Sequence, residues 1–173
     1  MILGLDISTR ITGYTVLDPN GQIMAIGHWN TQKFNLFQKA VFIKEALHGL
    51  GEQYLFDNIF IESALNMFMM GKSSAHVIST LAKFNGIVSW ICYEEFGITP
   101  EYIPAVSARK KYGITIKRGT KAKEQVMKFL LDNEPDFKVE YTRTGKPKPY
   151  CYDEADSLVI AKAGYECLKE KLE

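Results

Sequence analysis

Residues 1–18, MILGLDISTRITGYTVLD, decide how this chain is read. MILGLDIS is a short apolar run of strand length, and TGYTVLD (12–18) follows it as a second. A third run, QIMAIGHW (22–29), comes after Pro19, Asn20 and Gly21, and Asn-Gly supports the positive backbone dihedrals of tight hairpins. Three antiparallel strands are therefore expected to open the domain. Alternation along the first puts Ile2, Gly4 and Asp6 on one side and Leu3, Leu5 and Ile7 on the other. Asp6 interrupts a strand that otherwise calls for burial. It is either a strand end facing solvent or a carboxylate in a central strand, which needs a partner or a metal ion.

Beyond these strands, apolar residues at Leu36, Phe37, Ala40, Phe42, Ile43, Ala46, Leu47 and Leu50 recur at helical spacing and predict a helix over 34–54. NIFIES (58–63) reads as a fourth strand ending at Glu62, and a longer helix is predicted over 73–96. On that helix Val77, Leu81, Phe84, Val88 and Ile91 form one stripe, with Ile78, Ile87, Trp90 and Tyr93 around it. TPEYIP (99–104) is a fifth strand stopped by Pro104. AVSARKKYG (105–113) suits a short helix. TKAKEQVMKFLLD (120–132) reads as another, with Thr120 as N-cap and Pro135 beyond its end. A last helix is predicted from Asp153 to Leu172, and 134–150, rich in Pro, Gly and Lys, as a mobile segment. The expected fold is α/β, a mixed sheet flanked by helices in a single domain, 1–173.

The 173 residues suffice to bury about 70% of the surface of the unfolded chain. Apolar residues at 46% and charged residues at 24% are ordinary for a globular protein, so disordered and fibrous classes are excluded. Three scattered cysteines, Cys92, Cys151 and Cys167, favour neither a zinc knuckle nor a disulfide framework, and the chain reads as cytoplasmic and reduced. No window approaches the ~20 apolar residues of a membrane span, and Met1 leads into the first strand without a signal peptide's basic region.

The net charge of +1 conceals an uneven distribution. Between Tyr102 and Lys123 lie seven basic residues and no acid: Arg109, Lys110, Lys111, Lys117, Arg118, Lys121 and Lys123. A second set, Lys138, Arg143, Lys146 and Lys148, follows in KVEYTRTGKPKPY (138–150). Such clusters are either solvated faces or footprints for phosphates.

Glu62 repeats at the end of IFIE the situation of Asp6. In DEADSLVIA (153–161), Asp153 and Asp156 stand three residues apart and share one helix face. They either complement the positive end of the helix dipole or join Asp6 and Glu62 in a cage for magnesium, which prefers oxygen ligands. Two such ions about 4 Å apart can activate water for in-line attack on a phosphodiester. The histidines His28, His48 and His76 lack metal-like spacing and read as surface or core residues. Ser8, Thr9 and Ser63 have no neighbouring histidine to activate them.

GLDISTRITGYTVLD, IFIES, the YIPAVSARKKYG to KAKEQV segment and DEADSLVIA together resemble the RuvC family of Holliday-junction resolvases, within the RNase H-like superfamily. The resemblance covers nearly the whole chain in the family's order. It implies an RNase H-like fold with a mixed five-stranded sheet, strand one central. It further implies a homodimer, no membrane partner, and an endonuclease that nicks branched DNA symmetrically: four-way junctions and, in a phage or viral type, forks and flaps. The implied metal ligands and catalytic residues are Asp6, Glu62, Asp153 and Asp156, holding two Mg2+ ions, with Mn2+ able to substitute. Lys123 matches the family's phosphate-binding lysine, and Arg109 or Lys110 an earlier basic residue. Lys117, Arg118 and Lys121 complete the expected DNA-binding set. The family's base-stacking aromatic has no match in register: Leu65 stands there, and the nearest aromatic is Phe68. Many members carry a histidine late in the last helix, where this chain has Gly164 and Tyr165.

Two other classes compete. LDIS and TGY also resemble the phosphate loop of actin-like and sugar-kinase ATPases, which need two such domains and a second loop that is not found here. A non-catalytic nucleic-acid-binding module would have no use for the four acids.

Overall fold

The computed structural model describes residues 1–63 and 75–171. Five strands form one sheet in the order β3-β2-β1-β4-β5, with β1 (Ile2–Asp6) at its centre. β1, β2 (Ile11–Leu17) and β3 (Ile23–Asn30) run antiparallel, as expected. β4 (Asn58–Glu62) and β5 (Glu101–Ile103) join β1 in parallel. Asn20 and Gly21 turn the chain between β2 and β3, Gly21 at φ +80°.

Alternation sorts the strands into two cores. Leu3, Leu5, Val16, Ile59 and Ile61 face α1 (Leu36–Gly51) and α2 (Ala75–Phe96) and bury Ile43, Leu47, Phe84, Val88 and Ile91. Ile2, Leu17 and Phe60 face the opposite layer of α3 (Ala105–Lys111), α4 (Ala122–Asn133) and α5 (Tyr150–Glu170). Each layer removes one face of the sheet from water, which is what a strand apolar on both sides demands.

Three expectations change, and a fourth point, the α2 stripe, becomes specific. α5 begins at Tyr150, so Asp153 lies in its first turn and Asp156 one turn on; Asp156 is too deep to serve as a cap. Thr120 does not cap α4: Lys121 holds the N-cap position, and the Thr120 hydroxyl donates instead to the Lys117 carbonyl. Most of the α2 stripe is core, because Phe84, Val88 and Ile91 pack against the sheet, while Trp90 and Tyr93 are exposed. Residues 139–149 form a hairpin, with Tyr141 bridging Pro147 and backbone bonds joining Thr142 to Lys146 and Lys148 to Glu140.

Candidate active site

The parallel pairing of β1 and β4 sets Leu5 opposite Ile61, so Asp6 and Glu62, each the next residue, finish side by side. α5 brings the other two acids. Its close approach depends on glycines, with Gly4 and Gly13 on the sheet side. Gly4 faces Ala161, and a Cβ on it would come 2.6 Å from the alanine Cβ. Gly13, the β2 partner of Asp6, leaves no room for a Cβ under the Asp153 carbonyl. A buried hydroxyl pair, Thr15 Oγ1 to Ser157 Oγ at 2.9 Å, fixes the rotation of α5 on β2.

Asp6, Glu62, Asp153 and Asp156 therefore line one cleft of about 310 Å³ together with Ser8, Leu81, Asn85, Arg109 and Lys123. Burial and mutual repulsion penalise charge here. Desolvation, with Glu62, Asp156 and Asp153 nearby, holds the Asp6 carboxyl well above its usual range. Desolvation and then Asp156 push Glu62 to about 7, against the opposing pull of Arg109 and Lys123. Desolvation raises Asp153 to about 6 and also raises Asp156, where Lys123 and Arg109 oppose it. Lys123 Nζ stands 3.7 Å from Asp156 Oδ2. The cleft is short of positive charge.

The donor set fits a hard divalent cation: four carboxylates, whose oxygens such ions prefer. Asn85 adds to the fit, because its buried side-chain oxygen has no hydrogen-bond partner among the described residues and calls for a donor such as a water in the cleft. Yet among the described residues no three His, Cys, Asp or Glu side chains are disposed to hold one ion at once. The acids share a cleft and must still converge on an ion.

Sequence reading did not find Asn85, because an amide on an apolar helix gives no signal until the helix is docked. It also missed what His28 does. On β3, His28 lies opposite Gly13; its Nδ1 is 2.7 Å from Glu154 Oε1 and its ring stacks on Tyr150, tying the start of α5 to the sheet.

The expected DNA-binding set is dispersed. Arg109 and Lys123 face the cleft, with Lys123 Nζ 5.8 Å from the centre of the Tyr152 ring. Lys110 lines a separate hollow with Val106, Gly113 and Ile116. Lys117 and Arg118 sit in the exposed turn before α4, and Lys121 pairs with Glu124 at 3.1 Å. Phe68 lies outside the described residues, as does Leu65.

No family model matches the chain. The crossover junction endodeoxyribonuclease RuvC of Aliarcobacter butzleri (strain RM4018) is 29% identical over 143 residues, which span 79% of this chain and 87% of that protein. Among solved structures, Thermus thermophilus RuvC in complex with a Holliday junction substrate superposes with a TM-score of 0.68 at 13% identity, covering 98% of this chain and 94% of that one. The yeast mitochondrial Holliday junction resolvase gives a TM-score of 0.62 at 14% identity, over 95% of this chain and 77% of that one. At such identities the structural likeness is one of fold. These relatives are bacterial and mitochondrial and lend the phage or viral type no support. The chain is thus similar in sequence to a RuvC endonuclease over most of its length and shares the fold of solved Holliday junction resolvases.

Proposed function

We propose that the chain is a divalent-metal-dependent endonuclease that resolves Holliday junctions, and with them other branched DNA such as forks and flaps, by paired nicks. The observation that carries this reading is the cleft that unites Asp6, Glu62, Asp153 and Asp156 with Arg109 and Lys123. Asp6, Glu62, Asp153 and Asp156 would hold the divalent ions, two Mg2+ with Mn2+ able to substitute, their carboxylate oxygens supplying the hard ligands such ions prefer. Such ions, when bound, activate water and offset charge at the phosphodiester undergoing in-line attack.

The chain's own groups account for the rest. Arg109 and Lys123 meet the non-bridging oxygens of the phosphate, and Lys123 exchanges its weak contact with Asp156 for that partner. The Asn85 side-chain oxygen accepts a hydrogen bond from water in the cleft and orients it. Packing of α5 on Gly4 and Gly13 holds the backbone of Asp153 and Asp156 against the sheet, the fixed base from which their carboxylates converge.

Paired nicks require two clefts related by a two-fold axis, as a closed homodimer provides. The outer face of α2 is the surface for it: Trp90 (61% exposed) and Tyr93 (50%) touch each other there, and Tyr102 reaches the same face through the Ser89 hydroxyl. No helix among the described residues is long and apolar enough to cross a membrane, and a cytoplasmic setting, in which DNA is reached directly, accompanies this reading.

The test is incubation of the protein with labelled four-way junction, Y-fork and linear duplex in magnesium, with EDTA as control. Metal-dependent, symmetric cutting of the junction is expected. Cutting of linear duplex at an equal rate, or cutting in EDTA, would overturn the reading.

A further inference from the structure

The hairpin of residues 139–149 takes no part in the cleft chemistry, yet it is firmly built. Lys148 N–H donates to the Glu140 carbonyl at 2.8 Å, Thr142 N–H to the Lys146 carbonyl at 2.8 Å, and Gly145, at φ +74°, closes the tip. Its base is anchored. Lys148 and Glu140 form an ion pair, the Cys151 thiol meets the Glu140 carbonyl, and Tyr150 stacks on His28 with ring centres 4.0 Å apart. Such anchoring is unnecessary for a mere connection between α4 and α5.

The tip stands beside α4, and between them runs a groove of about 540 Å³, lined by Lys121, Lys128 and Lys146, the rings of Tyr141 and Tyr152, and the acids Glu124 and Asp132. That size falls within the ~300–1,000 Å³ that holds a small organic group. Glu124 is taken up by Lys121. Among the described residues, no ion pair engages Lys128, Arg143 or Lys146. Tyr141 is 53% exposed, although a ring of its size is costly to leave in water without a partner.

The groove also adjoins the acidic cleft. Lys123 lines the cleft on one side and lies over the Tyr152 ring, while the same ring lines the groove. Anything held by phosphate at Lys123 is thereby led toward Tyr152 and Tyr141. Cations interleaved with exposed aromatic rings are what a nucleic-acid strand requires, phosphates taking the charges and bases stacking on the rings.

We propose that the groove between α4 and the 139–149 hairpin is a second DNA-binding site, which receives the strand as it leaves the cleft. Lys128, Arg143 and Lys146 meet its phosphates, and Tyr141 stacks on a base. This rests on the nuclease reading, and the site differs from the cleft in needing no metal. It also gives Arg143 and Lys146 of the second basic cluster a function.

The test is a titration of labelled four-way junction and single-stranded oligonucleotide in EDTA across a salt series, comparing wild-type protein with an Arg143→Ala, Lys146→Ala double variant of matched melting temperature. Losing two phosphate contacts flattens the log–log salt slope by about 1.8 and weakens binding at ~0.1 M salt by roughly ten- to sixty-fold. An unchanged slope overturns the proposal. Independently, an oligonucleotide carrying photoreactive 5-iodouracil is expected to cross-link to Tyr141 in wild-type protein, as mapped by mass spectrometry, and to lose that adduct in Tyr141→Ala. Cross-links confined to peptides outside 139–149 would also overturn it. A wild-type protein that cuts no branched DNA but shows the slope difference refutes the resolvase reading and keeps the groove. One that cuts junctions with no slope difference does the reverse.

Discussion

Gly13 on β2 lies directly beneath the Asp153 carbonyl of α5, with no space between them for a methyl group. The same glycine pairs with Asp6 across the sheet, so one small residue sets how far one acid stands from another. Gly13→Ala must lift the first turn of α5 or shift β2. Overpacking of this kind costs about 1–3 kcal/mol, and a displacement near 1 Å at a reacting centre costs roughly 10²-fold in rate. Junction cleavage is expected to fall by that order while the protein still melts cooperatively. A Gly13→Ala enzyme with the wild-type rate would show that the contact does not position Asp153.

Asp6→Asn, Glu62→Gln, Asp153→Asn and Asp156→Asn are each expected to abolish cleavage and leave junction binding largely intact, because binding rests on basic residues and metal activation on the acids. Gel-shift and cleavage assays on the same preparations separate the two effects. Loss of binding in step with cleavage would mean that the acids organise the DNA surface instead.

Glu62 near 7 and Asp153 near 6 are both raised from the ordinary carboxylate range. A carboxyl whose pKa is higher in the folded than in the unfolded protein favours the protonated folded form. Its stabilisation is present at low pH and lost as pH rises from the unfolded value toward the folded one. Metal-free protein is therefore expected to melt at lower temperature at pH 7.5 than at pH 5, and magnesium to remove most of that difference. Thermal melts at the two pH values, with magnesium and with EDTA, decide it. A metal-free protein that is more stable at the higher pH would contradict the crowding of carboxylates in the cleft.

Asn85 buries an acceptor that no donor among the described residues meets, a group whose desolvation typically costs about 1–3 kcal/mol. Asn85→Leu is expected to raise the melting temperature of metal-free protein and lower the cleavage rate. If both remained at wild-type values, the amide would have no part in ordering water.

Trp90 and Tyr93 give the dimer proposal its handle. Trp90→Glu places a charge on the outer face of α2, away from the acids, and is expected to yield monomers by light scattering. On a cruciform plasmid it should convert linear product into open circles. A wild-type protein monomeric on and off the junction that still linearised the plasmid would remove the need for a dimer.

Strand alternation in MILGLDIS, helical spacing in α1 and α4, and the acids at the ends of β1 and β4 were legible because each is a local pattern with its own period. Asp6 stood out because it breaks a run that the sheet buries on both faces. The start of α5 was misplaced by three residues, since Tyr150 and Cys151 join the helix without a side-chain cap to announce it. The α2 stripe was divided between core and surface only by docking, because its apolar residues outnumber what one face of the sheet can cover. Linear order also could not reveal that Gly13 admits Asp153, that His28 reaches Glu154, or that the Asn85 side-chain oxygen meets no donor among the described residues. These facts join residues far apart in the chain, and only the packing of α5 and α2 on the sheet creates them. Thus the residue types and their local periods selected the layers and named the acids, while their separation, their raised pKa values and the groove beside them arose from close packing, which no local pattern encodes.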